Sequence, residues 1–124
     1  MPVRNKAILA ARAADEKQAT DVLVLAVGPI IYVCDYFVIC SASNSQQLRA
    51  IVNNIEKTLA QHKVKPVARE GLESSQWMLL DYGDIVIHVF EQEARDYYQL
   101  ERLWADAEVV AWREEGEVVA AGGE

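Results

Sequence analysis

The sequence predicts an α/β fold, with helices packed on a mixed sheet of about five strands. Short apolar runs of strand length recur along the chain, and two other stretches place their apolar residues at the helical period. Two of the apolar runs flank a tight turn, which indicates an antiparallel hairpin within the sheet. Together these features predict the order α-β-β-α-β-β-β-α in one domain, for which 124 residues are sufficient.

The amino-terminal third predicts one helix and two strands. Residues 3–18 are rich in alanine, the strongest helix former, and predict a short helix. The continuous apolar run 22–27 is too short for a buried helix, so it indicates a strand covered on both faces and stopped at Gly28. Residues 36–40 have the same character and predict the second strand.

The second helix is the most clearly patterned segment. Ser43 and Gln46 stand at the spacing of a capping box, in which each side chain satisfies a free backbone N–H group of the helix start. The helix should end near residues 61–63, where positive charge suits the carboxyl end of the helix dipole. Its apolar residues follow the helical period and form one stripe: Leu48, Ile51, Val52, Ile55 and Leu59.

Three strands follow. Residues 64–69 predict an edge strand, because Pro66 cannot donate a hydrogen bond to a neighbouring strand. The runs 77–80 and 85–90 predict the hairpin, and Gly83 supplies the positive φ angle that such a turn needs. Both faces of the second hairpin strand are mostly apolar, so this strand should be covered on both sides.

The carboxyl-terminal third predicts helical turns and then an acidic tail. Residues 91–98 and 100–107 have a helical pattern and complete a domain over 1–107. Residues 108–124 contain glutamates, alanines and glycines, and predict a mobile tail. The alternative is that the apolar residues in the first part of this tail dock on the domain, namely Val109, Val110 and Trp112.

The net charge of −7 lies entirely in the carboxyl-terminal quarter. Residues 1–90 carry nine acidic and nine basic side chains, whereas residues 91–124 carry ten acidic and three basic ones. Such a surface repels phosphates, so it disfavours direct binding of nucleic acid through this end and favours a basic protein as partner. For residues 108–124, a purely solubilising role is an equal alternative.

Several functional classes are disfavoured. No apolar run approaches the roughly 20 residues that span a bilayer, and charges interrupt the segment behind the basic start, so we expect a cytoplasmic protein without membrane contact. Cys34 and Cys40 are not a Cys-X-X-Cys pair and have only His62 and His88 to join them. No metal, cofactor or thiol nucleophile is therefore predicted.

Three aspartates offer an enzymatic alternative. Asp35, Asp81 and Asp84 could hold a metal ion, as clustered carboxylates do in phosphoryl-transfer enzymes. Turn chemistry explains the last two more simply, because aspartate is favoured beside glycine in a hairpin turn. His88 lies within an apolar strand and is expected to be a core histidine with one hydrogen bond, or an interface residue, rather than a general base or a metal ligand.

Large aromatic residues concentrate in the second half without any catalytic constellation. Trp77, Tyr82, Tyr97, Tyr98 and Trp104 lie within 28 positions. Tryptophan and tyrosine dominate the binding hot spots of protein interfaces. Because Tyr97 and Tyr98 are about 100° apart on a helix, both can hardly be buried. The pattern indicates a surface that binds a macromolecule, with one or two of these side chains as exposed anchors.

A series of short motifs carries a resemblance to a known family. They are Asp35-Tyr36-Phe37-Val38-Ile39, Glu70-Gly71, Trp77 through Gly83-Asp84, His88-Val89-Phe90, Arg95, Tyr98, Leu100-Glu101 and Leu103-Trp104. In this order they resemble the ribosomal silencing factor family, also called the Iojap-related family. The resemblance extends from about residue 5 to 107, and the motifs are highly specific.

The resemblance implies an α/β fold similar to nucleotidyltransferases, in proteins that are not known as enzymes. It implies binding to a basic protein of the large ribosomal subunit, number fourteen in that series, which blocks joining of the small subunit and represses translation under nutrient limitation. It also implies a homodimer when the protein is free. The competing hypothesis is a metal-dependent, nucleotidyltransferase-like enzyme that uses the three aspartates. The residues expected to contact the partner are Trp77, Met78, Asp81, Tyr82, Tyr98, Leu100, Glu101 and Trp104.

Overall fold

The computed structural model describes residues 1–71 and 76–113. Its elements are α1 (Val3–Glu16), β1 (Thr20–Ala26), β2 (Tyr36–Ala42), α2 (Ser45–Gln61), β3 (Ala68–Glu70), β4 (Trp77–Asp81), β5 (Ile85–Glu91), α3 (Gln92–Tyr98), a 3-10 helix (Leu100–Trp104) and β6 (Glu108–Val109). The α/β class and the order of the first eight elements are confirmed.

The strands form one mixed sheet in the order β3-β4-β5-β2-β1-β6. Only β2 and β5, at its centre, pair in parallel, and the other neighbours are antiparallel. The sheet has six strands rather than about five, because β6 adds to the edge of β1. The likeness of this topology to nucleotidyltransferases stays a prediction.

Helices α1 and α2 cover one face of the sheet. The alanines of α1 are fully buried, and their small side chains let the two helices lie close together on the strands. Asn54 Nδ2 donates to the carbonyl oxygen of Ala13 at 2.8 Å and ties α2 to α1. The cluster between these helices and the sheet, called the first core cluster, includes Ala10, Ala14, Val38, Leu48, Ile51, Ile55, Met78, Leu80 and Ile87.

The opposite face of the sheet is covered by α3 and the 3-10 helix. These short elements pack on the second core cluster, whose buried members are Leu25, Val27, Cys34, Phe37, Ile39, Val86, Phe90, Ala94 and Ala107. Strand β5 is buried on both of its faces up to Phe90, as predicted from its continuous apolar sequence. The helices on this face are much shorter than α1 and α2 on the other face. Large side chains are therefore left exposed on the side of α3 and the 3-10 helix.

The start of α2 differs from the predicted capping box by one residue. The N-cap is Asn44, whose side chain accepts a hydrogen bond from the backbone N–H of Gln47 at 2.8 Å. Gln47 Oε1 in turn accepts from the backbone N–H and the hydroxyl of Ser43. The arrangement resembles a capping box, except that the Gln47 side chain bonds Ser43, the residue before the N-cap, rather than Asn44 itself.

Residues 108–113, which the sequence assigns to a mobile tail, lie against the sheet. Strand β6 pairs with β1, and the backbone N–H of Val110 donates to the carbonyl oxygen of Val24 at 2.8 Å. The indole of Trp112 is buried and donates to the carbonyl oxygen of Val22 at 3.0 Å. The folded part therefore extends past the predicted boundary at 107, and residues 114–124 of the predicted tail lie outside the described residues.

The predicted edge strand is shorter than expected. Only Ala68–Glu70 forms β3, because Pro66 interrupts pairing ahead of it, and β3 does lie at the edge of the sheet. Gly83 has the predicted positive φ, at 87°, in the hairpin turn between β4 and β5. No helix among the described residues is long and apolar enough to cross a membrane.

Candidate partner-binding face

One side of the molecule presents a group of large apolar side chains to solvent. They come from the start of β4, the end of α3 and the 3-10 helix. Tyr97, Leu103 and Tyr98 are 81%, 72% and 53% exposed, and three neighbours are half-buried beside them. This surface, called the aromatic face, consists of Trp77, Tyr97, Tyr98, Leu100, Leu103 and Trp104.

The aromatic face is supported by a stack of rings. Trp77 lies on Phe90 with ring centroids 4.8 Å apart, and Tyr98 leans on Trp77 with centroids 5.0 Å apart. Tyr97 meets Tyr98 edge to face at 5.1 Å. Such offset and edge-on contacts are the preferred geometries of aromatic pairs. Tyr98 is therefore held against the half-buried Trp77, and Tyr97 is held against Tyr98.

His88 fixes the orientation of Trp77 from below. Trp77 Nε1 donates a hydrogen bond to His88 Nδ1 at 3.1 Å, so the neutral imidazole carries its proton on Nε2. Burial lowers the pKa of His88 to about 4, which keeps the ring neutral at physiological pH. The ring contacts Phe37 edge to face at 4.8 Å. The core-histidine interpretation, with one hydrogen bond, is confirmed within the described residues, where Nε2 has no hydrogen-bond partner.

A buried arginine attaches α3 and the 3-10 helix to the sheet. Arg95, which is almost completely buried, donates from Nη1 to the hydroxyl of Ser41 on β2 at 2.8 Å. Its Nε donates to Glu101 Oε2 at 3.1 Å. The same guanidinium thus joins three elements, and the planar fork of arginine suits this role. The carboxylate of Glu101, expected to contact a partner, is already engaged inside the molecule.

The structure separates six of the eight predicted contact residues into two groups, and the other two, Asp81 and Glu101, have partners within the chain. Trp77, Tyr98, Leu100 and Trp104 lie together on the aromatic face. Met78 and Tyr82 instead belong to the first core cluster and do not reach the surface. Successive side chains of a strand point to opposite faces, so Met78 points away from Trp77. Burial, with the nearby Glu56 carboxylate adding to it, raises the pKa of the Tyr82 phenol to about 12.

Two exposed members of the aromatic face are missing from the predicted contacts. They are Tyr97, which belongs to the clustered aromatic residues, and Leu103, which belongs to one of the family motifs. A 3-10 helix has three residues per turn, so Leu100 and Leu103 lie on the same side of it.

Two of the three aspartates have partners within the chain, and the third, Asp35, is exposed. Asp84 Oδ2 accepts a hydrogen bond from Lys6 Nζ at 2.6 Å in an ion pair. Asp81 Oδ1 accepts from the backbone N–H of Gly83 at 2.8 Å, which is the turn chemistry considered from the sequence. Among residues 1–71 and 76–113, no three histidine, cysteine or acidic side chains are grouped as a metal would require. The enzymatic alternative thus has no supporting geometry.

Acidic side chains border the aromatic face. Glu93, Asp96 and Asp106 are exposed on or near its helices. Arg102 is the exposed cation of the same segment, since Arg95 is buried and paired with Glu101. Three exposed carboxylates against one exposed arginine make this segment net negative, which suits a positively charged partner.

Comparisons with known proteins identify relatives along almost the whole chain. The family described as "Ribosomal silencing factor during starvation" matches residues 1–122, beyond the expected limit at 107. The protein "Ribosomal silencing factor RsfS" of Bacillus subtilis is 40% identical over 107 residues, which cover 85% of this chain and 91% of the relative. "Protein Iojap, chloroplastic" of Zea mays is 34% identical over 82% of this chain and 44% of the relative.

A solved structure has the same fold. The crystal structure of a Chromobacterium violaceum protein superposes with a TM-score of 0.82 and 28% sequence identity, and the match covers 98% of this chain and 97% of that one. Family match, sequence relatives and fold agree with the motifs of the sequence. The chain belongs to the ribosomal silencing factor family.

Proposed function

We propose that this protein binds the large ribosomal subunit through its aromatic face and blocks joining of the small subunit, which represses translation. The observation that carries the proposal is the exposure of Tyr97, Tyr98 and Leu103 on a supported surface. Family membership supports a role in silencing ribosomes, because the relatives are named for it. The partner that the family resemblance implies is the basic protein number fourteen of the large subunit.

The aromatic face has the properties of a binding hot spot. Its exposed side chains are large, and tyrosine loses little conformational entropy when it binds, because it has few rotatable bonds. Tyr98 already packs on Trp77, so part of its ordering cost is met before binding. A contact that is stable enough to exclude another subunit should bury at least roughly 1,000 Å² of total surface.

The charges around the face favour a basic protein over bare RNA. Glu93, Asp96 and Asp106 would attract basic side chains and repel phosphates. The acidic border therefore favours contact with a basic ribosomal protein, even though ribosomal RNA surrounds that protein in the subunit. Occupancy at the joining face is enough to prevent subunit association, so the proposed mechanism needs no catalytic residue and no cofactor.

In the free protein, we expect a second copy to cover the aromatic face, so that the protein is a homodimer. Exposed apolar patches on soluble proteins commonly mark interaction sites. A dimer that uses this face would have to dissociate before the protein binds the ribosome. Sedimentation at several protein concentrations measures the dimer, and Tyr97→Ser with Tyr98→Ser should shift it towards monomer.

The proposed function is tested by sedimentation with separated ribosomal subunits at low and moderate salt, followed by a subunit-joining assay. We expect the protein to sediment with the large subunit alone and to reduce joining. Tyr97→Ser combined with Tyr98→Ser should weaken binding at least about tenfold, since both side chains are exposed anchors.

The matched control is Val67→Ser, which also replaces an exposed apolar side chain but lies outside the aromatic face. It should bind as the unchanged protein does. Unfolding curves of both variants establish that they are folded. Failure of the unchanged protein to bind either subunit at low salt would refute the proposed function.

A further inference from the structure

A second exposed apolar surface lies in the loop between β1 and β2. Tyr32 is 97% exposed and Val33 82% exposed, with Ile30 beside them at 43%. Ile31 and Cys34, by contrast, pack against the second core cluster. An apolar loop tip that is open to solvent lowers solubility without adding to the core, so its presence points to a partner that covers it.

Backbone hydrogen bonds hold this loop in a defined shape. Val27 and Gly28 both donate from their N–H groups to the carbonyl oxygen of Asp35 at 3.0 Å, which closes the base of the loop. Ile30 and Ile31 both donate to the carbonyl oxygen of Val27 at 2.8 Å. The exposed tip is therefore presented on a fixed frame, which reduces the ordering cost of binding.

A cleft of about 360 Å³ lies beside the loop tip, and carboxylates are among the groups that line it. Asp35 is exposed there, and Asp84 Oδ1 has no hydrogen-bond partner among the described residues, although Oδ2 pairs with Lys6. The pKa of the Cys34 thiol is raised to about 11 by burial first and then by the charges of these two aspartates and Asp81. The cleft is lined by Gly28, Ile31, Tyr32, Val33, Cys34, Asp35, Gly83 and Asp84.

We propose that this cleft and loop tip bind an arginine or lysine side chain, flanked by apolar residues, of the protein partner on the large subunit. The apolar tip would cover the flanking residues, and Tyr32 with Asp35 would hold the cation by its ring face and its carboxylate. The inference rests on the proposed function and adds a second contact to it. The carboxylates on the cleft wall disfavour RNA phosphates and anionic lipid headgroups as occupants.

The new surface lies on the same side of the sheet as the 3-10 helix that contributes to the aromatic face. Ile31 and Trp104 pack against the same second core cluster, which also contains Cys34 and Ala107. A single partner that covers Leu103 and Trp104 could therefore extend to the loop tip. The two surfaces would then act as one interface of two parts, each with its own apolar anchors and acidic border.

The test measures binding of the full chain to the large subunit for Tyr32→Ser combined with Val33→Ser, with Val67→Ser as matched control. Both loop side chains are almost fully exposed, so their replacement should leave the unfolding transition unchanged. We expect at least about tenfold weaker binding. Asp35→Asn should also weaken binding, and it should reduce the salt dependence.

Three outcomes would overturn the inference. If the loop variant binds as the unchanged protein does while Tyr97→Ser with Tyr98→Ser binds weakly, the loop is not a contact and the proposed function stands. If the unchanged protein does not bind the subunit, the inference falls together with the proposed function. If the unchanged protein binds phosphatidylglycerol vesicles and the loop variant does not, the occupant is a membrane surface.

Discussion

Trp77 and His88 show how a polar pair can support an apolar binding surface. The indole N–H is satisfied by the imidazole, so Trp77 keeps one ring orientation although part of it faces solvent. A tryptophan without this bond would need water or a partner for its N–H. This arrangement requires His88 to stay neutral, because aromatic rings rather than charged groups surround its imidazole.

His88 should make the stability of the protein depend on pH. Its pKa is about 4 in the folded state and 6.5 when unperturbed, so between these values the unfolded chain binds a proton that the folded chain excludes. The full stability is therefore expected above the unfolded pKa. The free energy of unfolding should fall by up to roughly 3 kcal/mol as the pH decreases towards the folded pKa.

Denaturant unfolding at several pH values measures this dependence. In His88→Gln the part of the slope between these two pKa values should disappear, even though the variant is less stable at neutral pH. His62 is exposed and is the other histidine of the chain. His62→Gln should keep the slope, and a slope that survives in His88→Gln would contradict the assignment to His88.

At the scale of single elements, the start of α2 distinguishes two neighbouring caps. Asn44→Ala removes the side-chain acceptor of the Gln47 N–H and should lower the free energy of unfolding by about 1 kcal/mol. Ser43→Ala removes only a hydroxyl that bonds the Gln47 side chain, so a smaller loss is expected. Denaturant unfolding of both variants measures which loss of unfolding free energy is larger. An equal or larger loss for Ser43→Ala would indicate that Ser43, as predicted from the sequence, is the N-cap.

The position of α3 and the 3-10 helix depends on Arg95. Arg95→Met leaves the hydroxyl of Ser41 and the carboxylate of Glu101 without this partner. We expect a loss of about 3 kcal/mol, near the lower end for a broken buried pair, because Glu101 is about one third exposed. Binding to the large subunit should weaken too, since Tyr97, Tyr98 and Leu103 lose their support.

The matched control for this prediction is Arg102→Met, which removes an exposed arginine from the same segment. Its stability should change by less than about 0.5 kcal/mol. Unfolding curves and sedimentation with the large subunit give the two readouts. If Arg95→Met were as stable as Arg102→Met, the guanidinium would not be what attaches these elements to the sheet.

At the scale of the whole molecule, charge divides the chain. Residues 76–113 carry eight acidic and three basic side chains, whereas residues 1–71 carry six acidic and nine basic ones. The acidic part contains the aromatic face. Glu93→Gln with Asp96→Asn should lower the association rate constant with the large subunit a few-fold and make it less sensitive to salt.

Association and dissociation rates at several salt concentrations test this steering, with Asp21→Asn as a control at an exposed carboxylate on β1. Dissociation should change little, because border charges act mainly during the encounter. An effect confined to the dissociation rate would place these carboxylates inside the contact. Such a result would contradict the prediction that these carboxylates steer the encounter from the border of the contact.

Much of the sheet could be predicted because most of its strands have a recognisable pattern in their own local sequence. The central strands β2 and β5 are continuous apolar runs, and the hairpin carries its glycine at the turn. The strand β6 is hard to predict because it has only two residues and a run rich in glutamate begins at Glu114, shortly after it. Whether Val110 and Trp112 dock depends on the open edge of β1, which is a property of the assembled sheet.

The candidate site was predictable in part for the same reason. Clustering of aromatic residues identified Trp77, Tyr98 and Trp104, because density along the chain reflects density in space within a hairpin and its next helix. The burial of Met78 could have been found from the alternation of β4. The burial of Tyr82 depends on the helical layer above the turn, which no local pattern reveals.

The position of β6 has a consequence for how the chain can be shortened. Without residues 108–113, β1 would become an open sheet edge, and its carbonyl groups at Val22 and Val24 would lose their partners. An unprotected strand of this kind is a template for pairing with another unfinished chain. A fragment that ends at 107 should therefore aggregate, and this edge is also the last part of the fold to become protected during synthesis.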